Sequence, residues 1–195
     1  MRIRKKNIIP ILLFSPLYLF FALHGLSLMR RDVNEWMKVL SKEDAGCLSL
    51  NAIELLCDLP EFRFLMYYRY NIYKFNPIRL VYPPQQMSMS CRNVGEGLVI
   101  QHGFGSRLGA SKIGNNCQIW QGVTIGKARS GRQEQKPVIG NNVKICAGAF
   151  VLGGITIGND VTIGAASVVL KSVPDGCTVV GNPARIVKTS GGCIK

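Results

Sequence analysis

The 195-residue sequence predicts a mainly β fold: a parallel β-helix of six-residue rungs, preceded by a helical region and a hydrophobic leader. Three observations predict it. Ile139, Ile145, Val151, Ile157, Ile163 and Val169 recur at every sixth position. Gly140, Gly158 and Gly164 follow three of these teeth directly. The residues four beyond each tooth (Val143, Ala149, Ile155, Val161, Ser167) are small or aliphatic. Such a comb matches neither the helical period of about 3.6 nor the strand period of about 2, so the segment is a repeat, and hexapeptide repeats stack as a β-helix.

The chain divides into four parts: a leader over 1–31, a helical lead-in over 32–93, the β-helix over 94–188 and a tail over 189–195. Ile8 to Met29 contains no Asp, Glu, Lys or Arg, with "MRIRKK" before it and Arg30 and Arg31 after it. As a helix this stretch would span roughly 33 Å against a hydrocarbon core of about 30 Å, so it is expected in a membrane. No small-x-small cleavage site marks a signal peptide. Pro10 and Pro16 interrupt a simple span, and basic residues at both ends give no orientation. A re-entrant or interfacial helix with both ends on the cytoplasmic side fits better. His24 within it reads as an interfacial residue rather than a ligand.

"LSLNAIELLCDLPEFRFLMYYRYNIYKF" predicts two short helices separated near Pro60, with aromatic residues expected to cap the open end of the prism. "PIRLVYPPQQ" then extends into the first coil.

In the β-helix each hexapeptide makes one face of a triangular prism, and three complete a coil. The tooth points inward. Corners need positive φ, which glycine, asparagine and aspartate supply; "GNN" at Gly114–Asn116 and Gly140–Asn142, and "GND" at Gly158–Asp160, fit. A second comb, Ile113, Ile119 and Ile125, is preceded by Val94 and Ile100. Leu108 to Ile113 is one residue short, which predicts a distorted corner. Ile125 and Ile139 stand fourteen apart, so "KARSGRQEQKP" (Lys127–Pro137) is an inserted loop, where a rigid scaffold tends to carry function.

Composition narrows the chemistry. Seven cysteines without a C-x-x-C pair indicate neither a disulfide framework nor a zinc knuckle, and imply a reducing compartment. Cys117 and Cys146 fall inside the repeat as packing residues. Two histidines cannot make a three-histidine zinc site, which excludes a β-helix carbonic anhydrase; no metal is expected. The net charge of +13 calls for an anionic partner. The basic residues are not interleaved with aromatics as in nucleic-acid modules, so polyphosphate or anionic lipid fits better.

"GEGLVIQHGFG", "IWQGVTIG", the loop, "PVIGNNVKICAGAFVLGGITIGNDVTIGAASVVLKSVP" and the closing "VVGNPARIV" together resemble the left-handed β-helix acyltransferases of the serine acetyltransferase-like group. That group includes capsule and colanic-acid polysaccharide O-acetyltransferases. The resemblance covers Val94 to Lys188. It implies acetyl-CoA as co-substrate with no permanently bound cofactor, direct transfer without an acyl-enzyme, and a homotrimer with its sites between subunits. His102, in "IQHGFG", stands where the family's general base stands, and imidazole titrates in the range that role needs. Gly122, Gly148 and Ala166 would offer backbone to the pantetheine arm, with Lys171, Arg185 and Lys188 for the phosphates. Gln101, Glu134 and Lys136 would line the acceptor side.

Departures from the family bear on the acceptor. The aspartate that orients the base in serine acetyltransferases falls at Met87, the acid before the histidine is Gln101, and the loop's Arg-His pair reads Gln135–Lys136. These absences point to a sugar hydroxyl in surface polysaccharide biosynthesis, at the cytoplasmic face of the cell membrane. The alternatives are serine, with a cytoplasmic enzyme, and a non-catalytic trimeric scaffold.

Overall fold

The computed structural model describes residues 27–42, 48–71, 83–128, 135–189 and 192–193, in two compact units divided between Gln85 and Gln86. The apolar run over 8–26 lies outside the described residues. No described helix is long and apolar enough to cross a membrane.

The first unit is helical: α1 over 27–39, α2 over Leu48–Asp58 and α3 over Pro60–Arg69. In α1, Met29, Val33, Trp36 and Met37 form one buried stripe at helical spacing. Helix α1 thus includes positions on both sides of residue 31, and Met29 is buried. The break between α2 and α3 falls at Leu59, where Pro60 opens the new helix at a position that needs no amide donor. Trp36 meets Phe62 edge-on with ring centroids 5.3 Å apart. Arg69 Nη2 donates to Oδ1 of the buried Asp32 at 3.0 Å and its Nε forms an ion pair with Oδ2 at 2.7 Å, tying α3 to α1. Arg63 donates from Nη1 to the Leu56 and Cys57 carbonyls in the last turn of α2, groups that have no partner within the helix.

The second unit is built from short strands. They are β1 (Ser88–Met89), β2 (Asn93–Val94), β3 (Val99–Ile100), β4 (Arg107–Leu108), β5 (Lys112–Ile113) and β6 (Gln118–Ile119). The chain continues through β7 (Thr124–Gly126), β8 (Val138–Ile139), β9 (Lys144–Ile145), β10 (Phe150–Leu152) and β11 (Thr156–Ile157). It ends with β12 (Thr162–Ile163), β13 (Val168–Val169), β14 (Thr178–Gly181), β15 (Ala184–Thr189) and β16 (Gly192–Cys193). Every third strand pairs in parallel as far as β13, and β14 pairs in parallel with β12. Face one is β1-β4-β7-β10-β13, face two is β2-β5-β8-β11 and face three is β3-β6-β9-β12-β14. The combs stack tooth on tooth, Ile113 on Ile139 on Ile157 and Ile100 on Ile119 on Ile145 on Ile163. All seven side chains are buried.

The edge between faces two and three explains the "GNN" repeats. Asn116, Asn142 and Asp160 all adopt left-handed φ near 55°, which asparagine and aspartate tolerate. One residue earlier, side chains cap the backbone of the coil before. The Asn115 amide donates to Asn141 Oδ1 at 2.9 Å, Asn141 to Asn159 Oδ1 at 2.9 Å and Asn159 to Asp175 Oδ1 at 2.8 Å.

Parallel pairing begins at Ser88, ahead of Val94, because Met89 fills a tooth position above Leu108. At the other end the "VVGNPARIV" segment is not a coil. It turns back after Gly181, and β15 pairs antiparallel with β14, then β16 with β15.

Candidate active site

His102 lies on the edge where face three passes into face one. Three hydrogen bonds set the register there. The Gly122 amide donates to the Phe104 carbonyl (3.0 Å), Gly148 to Gln121 (2.8 Å) and Ala166 to Ala147 (2.9 Å). Gly105, Gly122, Gly148 and Ala166 therefore form one column, and all four have positive φ (72, 68, 67 and 56°). Ile119 to Ile125, Ile145 to Val151 and Ile163 to Val169 each take six residues, whereas Ile100 to Leu108 takes eight. The two extra residues are His102 and Gly103.

Local geometry lifts this excursion off the prism. The Phe104 amide donates to the His102 carbonyl at 2.7 Å and the Ser106 amide to the Gly103 carbonyl at 3.1 Å, so two tight turns follow one another. Ile100 and Leu108, each 1% exposed, anchor both ends. His102 itself has φ 51°, a conformation in which histidine, asparagine and aspartate are enriched. Its side chain is exposed, and its ring makes no hydrogen bond among the described residues. Phe104 beside it is 67% exposed.

The other sequence-predicted residues separate into groups. Gln101, half-buried and next to His102, donates its backbone amide to the Ile119 carbonyl at 2.8 Å. Gly122, Gly148 and Ala166 continue the His102 edge coil by coil. Lys136 and Lys171 stand on a different edge, between faces one and two. Lys136 is engaged there: its Nζ donates to the Ser90 carbonyl (3.4 Å) and Oγ (3.3 Å), while its own carbonyl accepts from Ser111 Oγ (3.1 Å). Arg185 and Lys188 sit on β15, with Lys188 opposite Thr178. Glu134 lies outside the described residues. Met87 directly precedes β1, whose Ser88 pairs with Arg107, and the buried Ser106 hydroxyl donates to the Trp120 carbonyl.

Charge is distributed unevenly around the prism. The described carboxylates of this unit, Glu96, Asp160 and Asp175, all lie on the edge between faces two and three. Face one and both edges flanking it hold none among the described residues. Sequence reading missed Arg107, the one described cation on face one, although its place immediately before the tooth Leu108 marks it as outward-pointing.

Residues 136–171 match the family "Bacterial transferase hexapeptide (six repeats)". The chain is 39% identical over 153 residues to a serine acetyltransferase of Synechococcus elongatus, covering 72% of this chain and 62% of that protein. It is 52% identical over 99 residues to one of Staphylococcus xylosus, covering 50% and 46%. It thus spans about half to two thirds of the length of these relatives. Among solved structures, the Neisseria gonorrhoeae serine acetyltransferase superposes with a TM-score of 0.64 at 28% identity, over 93% of this chain and 70% of that one. A serine acetyltransferase in complex with CoA superposes at 0.63 and 26% identity, over 90% and 74%. The chain is a parallel β-helix of hexapeptide repeats, similar in sequence and in fold to serine acetyltransferases over the matched residues.

Proposed function

We propose that this chain is an acetyl-CoA-dependent O-acetyltransferase whose acceptor is the hydroxyl of L-serine. One observation carries the reading: a solvent-facing imidazole raised on a two-residue excursion, beside a column of tight corners, in a fold shared with serine acetyltransferases. In the proposed reaction a ring nitrogen of His102 takes the proton of the acceptor hydroxyl as its oxygen attacks the thioester carbonyl. Backbone or side-chain donors steady the oxyanion, the C–S bond breaks, and the imidazolium returns the proton to the CoA thiolate. The products are the acetyl ester and free CoA. The pantetheine arm follows the Gly122–Gly148–Ala166 column, with Lys171, Arg185 and Lys188 as phosphate partners and three chains completing the sites.

The sugar hydroxyl expected from the sequence gives way to serine. That expectation rested on missing side chains at Met87, Gln101 and Gln135–Lys136. Against it stand relatives named as serine acetyltransferases, and a structural neighbour at 29% identity described in complex with serine. Membrane contact, at the cytoplasmic face, now rests on residues 8–26 alone.

The test is release of free thiol from acetyl-CoA by the purified protein, with L-serine and a panel of nucleotide sugars in parallel. Serine-dependent release is expected. Release with sugars but not serine would restore the other acceptor, and absence of any acetyl-CoA binding would indicate a scaffold.

A further inference from the structure

Resting on the proposed serine acetylation, we infer that Arg107 receives the acceptor's carboxylate and so selects acceptors that carry one. A hydroxy amino acid presents a hydroxyl to the base and, a few bonds away, a carboxylate that needs a cation. Within one chain Lys136 stands on a different edge from His102, and its Nζ donates to Ser90. Arg107 belongs to the same coil as His102. The hydrogen bond from the Ser106 amide to the Gly103 carbonyl closes a four-residue turn with ends within about 7 Å, and His102 and Arg107 flank that turn on either side.

Burial and charge agree with this placement. In β4 the alternation is exposed then buried, so Leu108 fills the core and Arg107 faces out. Its neighbours in register above and below are Ser88 and Thr124, neither of which carries charge. Its guanidinium has no hydrogen-bond or ion-pair partner among the described residues. The described carboxylates of this unit, Glu96, Asp160 and Asp175, stand on the edge opposite face one. A planar guanidinium grips a carboxylate with two parallel hydrogen bonds, which fixes orientation as well as charge.

The experiment compares Arg107→Ala, Arg107→Lys and the wild type on L-serine and on serinamide, which keeps the hydroxyl and ammonium but lacks the carboxylate. Lys112→Ala, on face two, is the surface-charge control. Arg107→Ala should raise KM for L-serine about 30-fold, leave kcat within about 3-fold, and abolish the preference for serine over serinamide. Arg107→Lys should recover part of that preference, and Lys112→Ala should match the wild type. Circular dichroism checks that the exposed substitution leaves the fold intact. An unchanged KM for serine in Arg107→Ala, or equal losses on serine and serinamide, would overturn the assignment while leaving the acetyltransferase intact. A wild type that acetylates neither compound would overturn the serine reading and this assignment together.

Discussion

Phe104 and Gln121 occupy equivalent places one coil apart: the Phe104 carbonyl accepts the Gly122 amide as the Gln121 carbonyl accepts that of Gly148. The prism therefore continues through Phe104 as though His102 and Gly103 were absent. One corner is lengthened here, with the stacked teeth on either side left in register.

Removing His102 and Gly103 together tests that view. The remaining Ile-Gln-Phe-Gly-Ser-Arg-Leu would repeat the spacing of Ile119 to Ile125, with Gly105 at the positive-φ place of Gly122. The deletion variant should fold, show the wild-type β spectrum and melt within a few degrees of the parent, yet release no thiol from acetyl-CoA. Failure to fold would mean that the excursion is structural.

Close stacking at the glycine corners predicts a graded series. A Cβ at Gly114 would collide with the Gly140 carbonyl of the next coil, backbone that cannot move aside. At Gly126 a Cβ would meet nothing within 4 Å, and φ is not positive. Gly114→Ala should cost about 3 kcal/mol or more in urea denaturation, and Gly126→Ala less than about 0.5 kcal/mol.

Burial pushes the Cys117 thiol up from 9.0 to about 11. Between those values the folded protein keeps a proton that the unfolded chain has lost, so stability falls as pH rises from about 9 to about 11. Cys117→Ala should reduce that slope, leaving the part due to Cys57, which burial also pushes up to about 11. In the native state at pH 8, Cys117 should resist alkylation that modifies it readily in denaturant.

The interior of the prism was plain in the sequence because a tooth must be apolar, must face inward and must recur every six residues. The corners between faces two and three were plain for a related reason, since positive φ there falls on Asn116, Asn142 and Asp160. Two features were not. The first coil was hidden because Met89 is not branched and stands five residues, rather than six, before Val94. The His102 excursion could be found by counting Ile100 to Leu108, but the shortened step from Leu108 to Ile113 partly cancels it and masks the extra pair. Arg107 was obscured by numbers: among 24 basic residues nothing in the sequence singles out the one on the face without carboxylates. That distinction needed the three edges of the prism to be assigned.

The central claim is that the His102 imidazole takes the acceptor's proton. Asparagine adopts the left-handed φ of this position readily, so His102→Asn removes the base while keeping the corner. The decisive measurement is the rate of thiol release from acetyl-CoA with L-serine by this variant, with its melting temperature taken alongside. A fall of about 100-fold or more at an unchanged melting temperature is predicted; a rate equal to the wild type's would contradict the account.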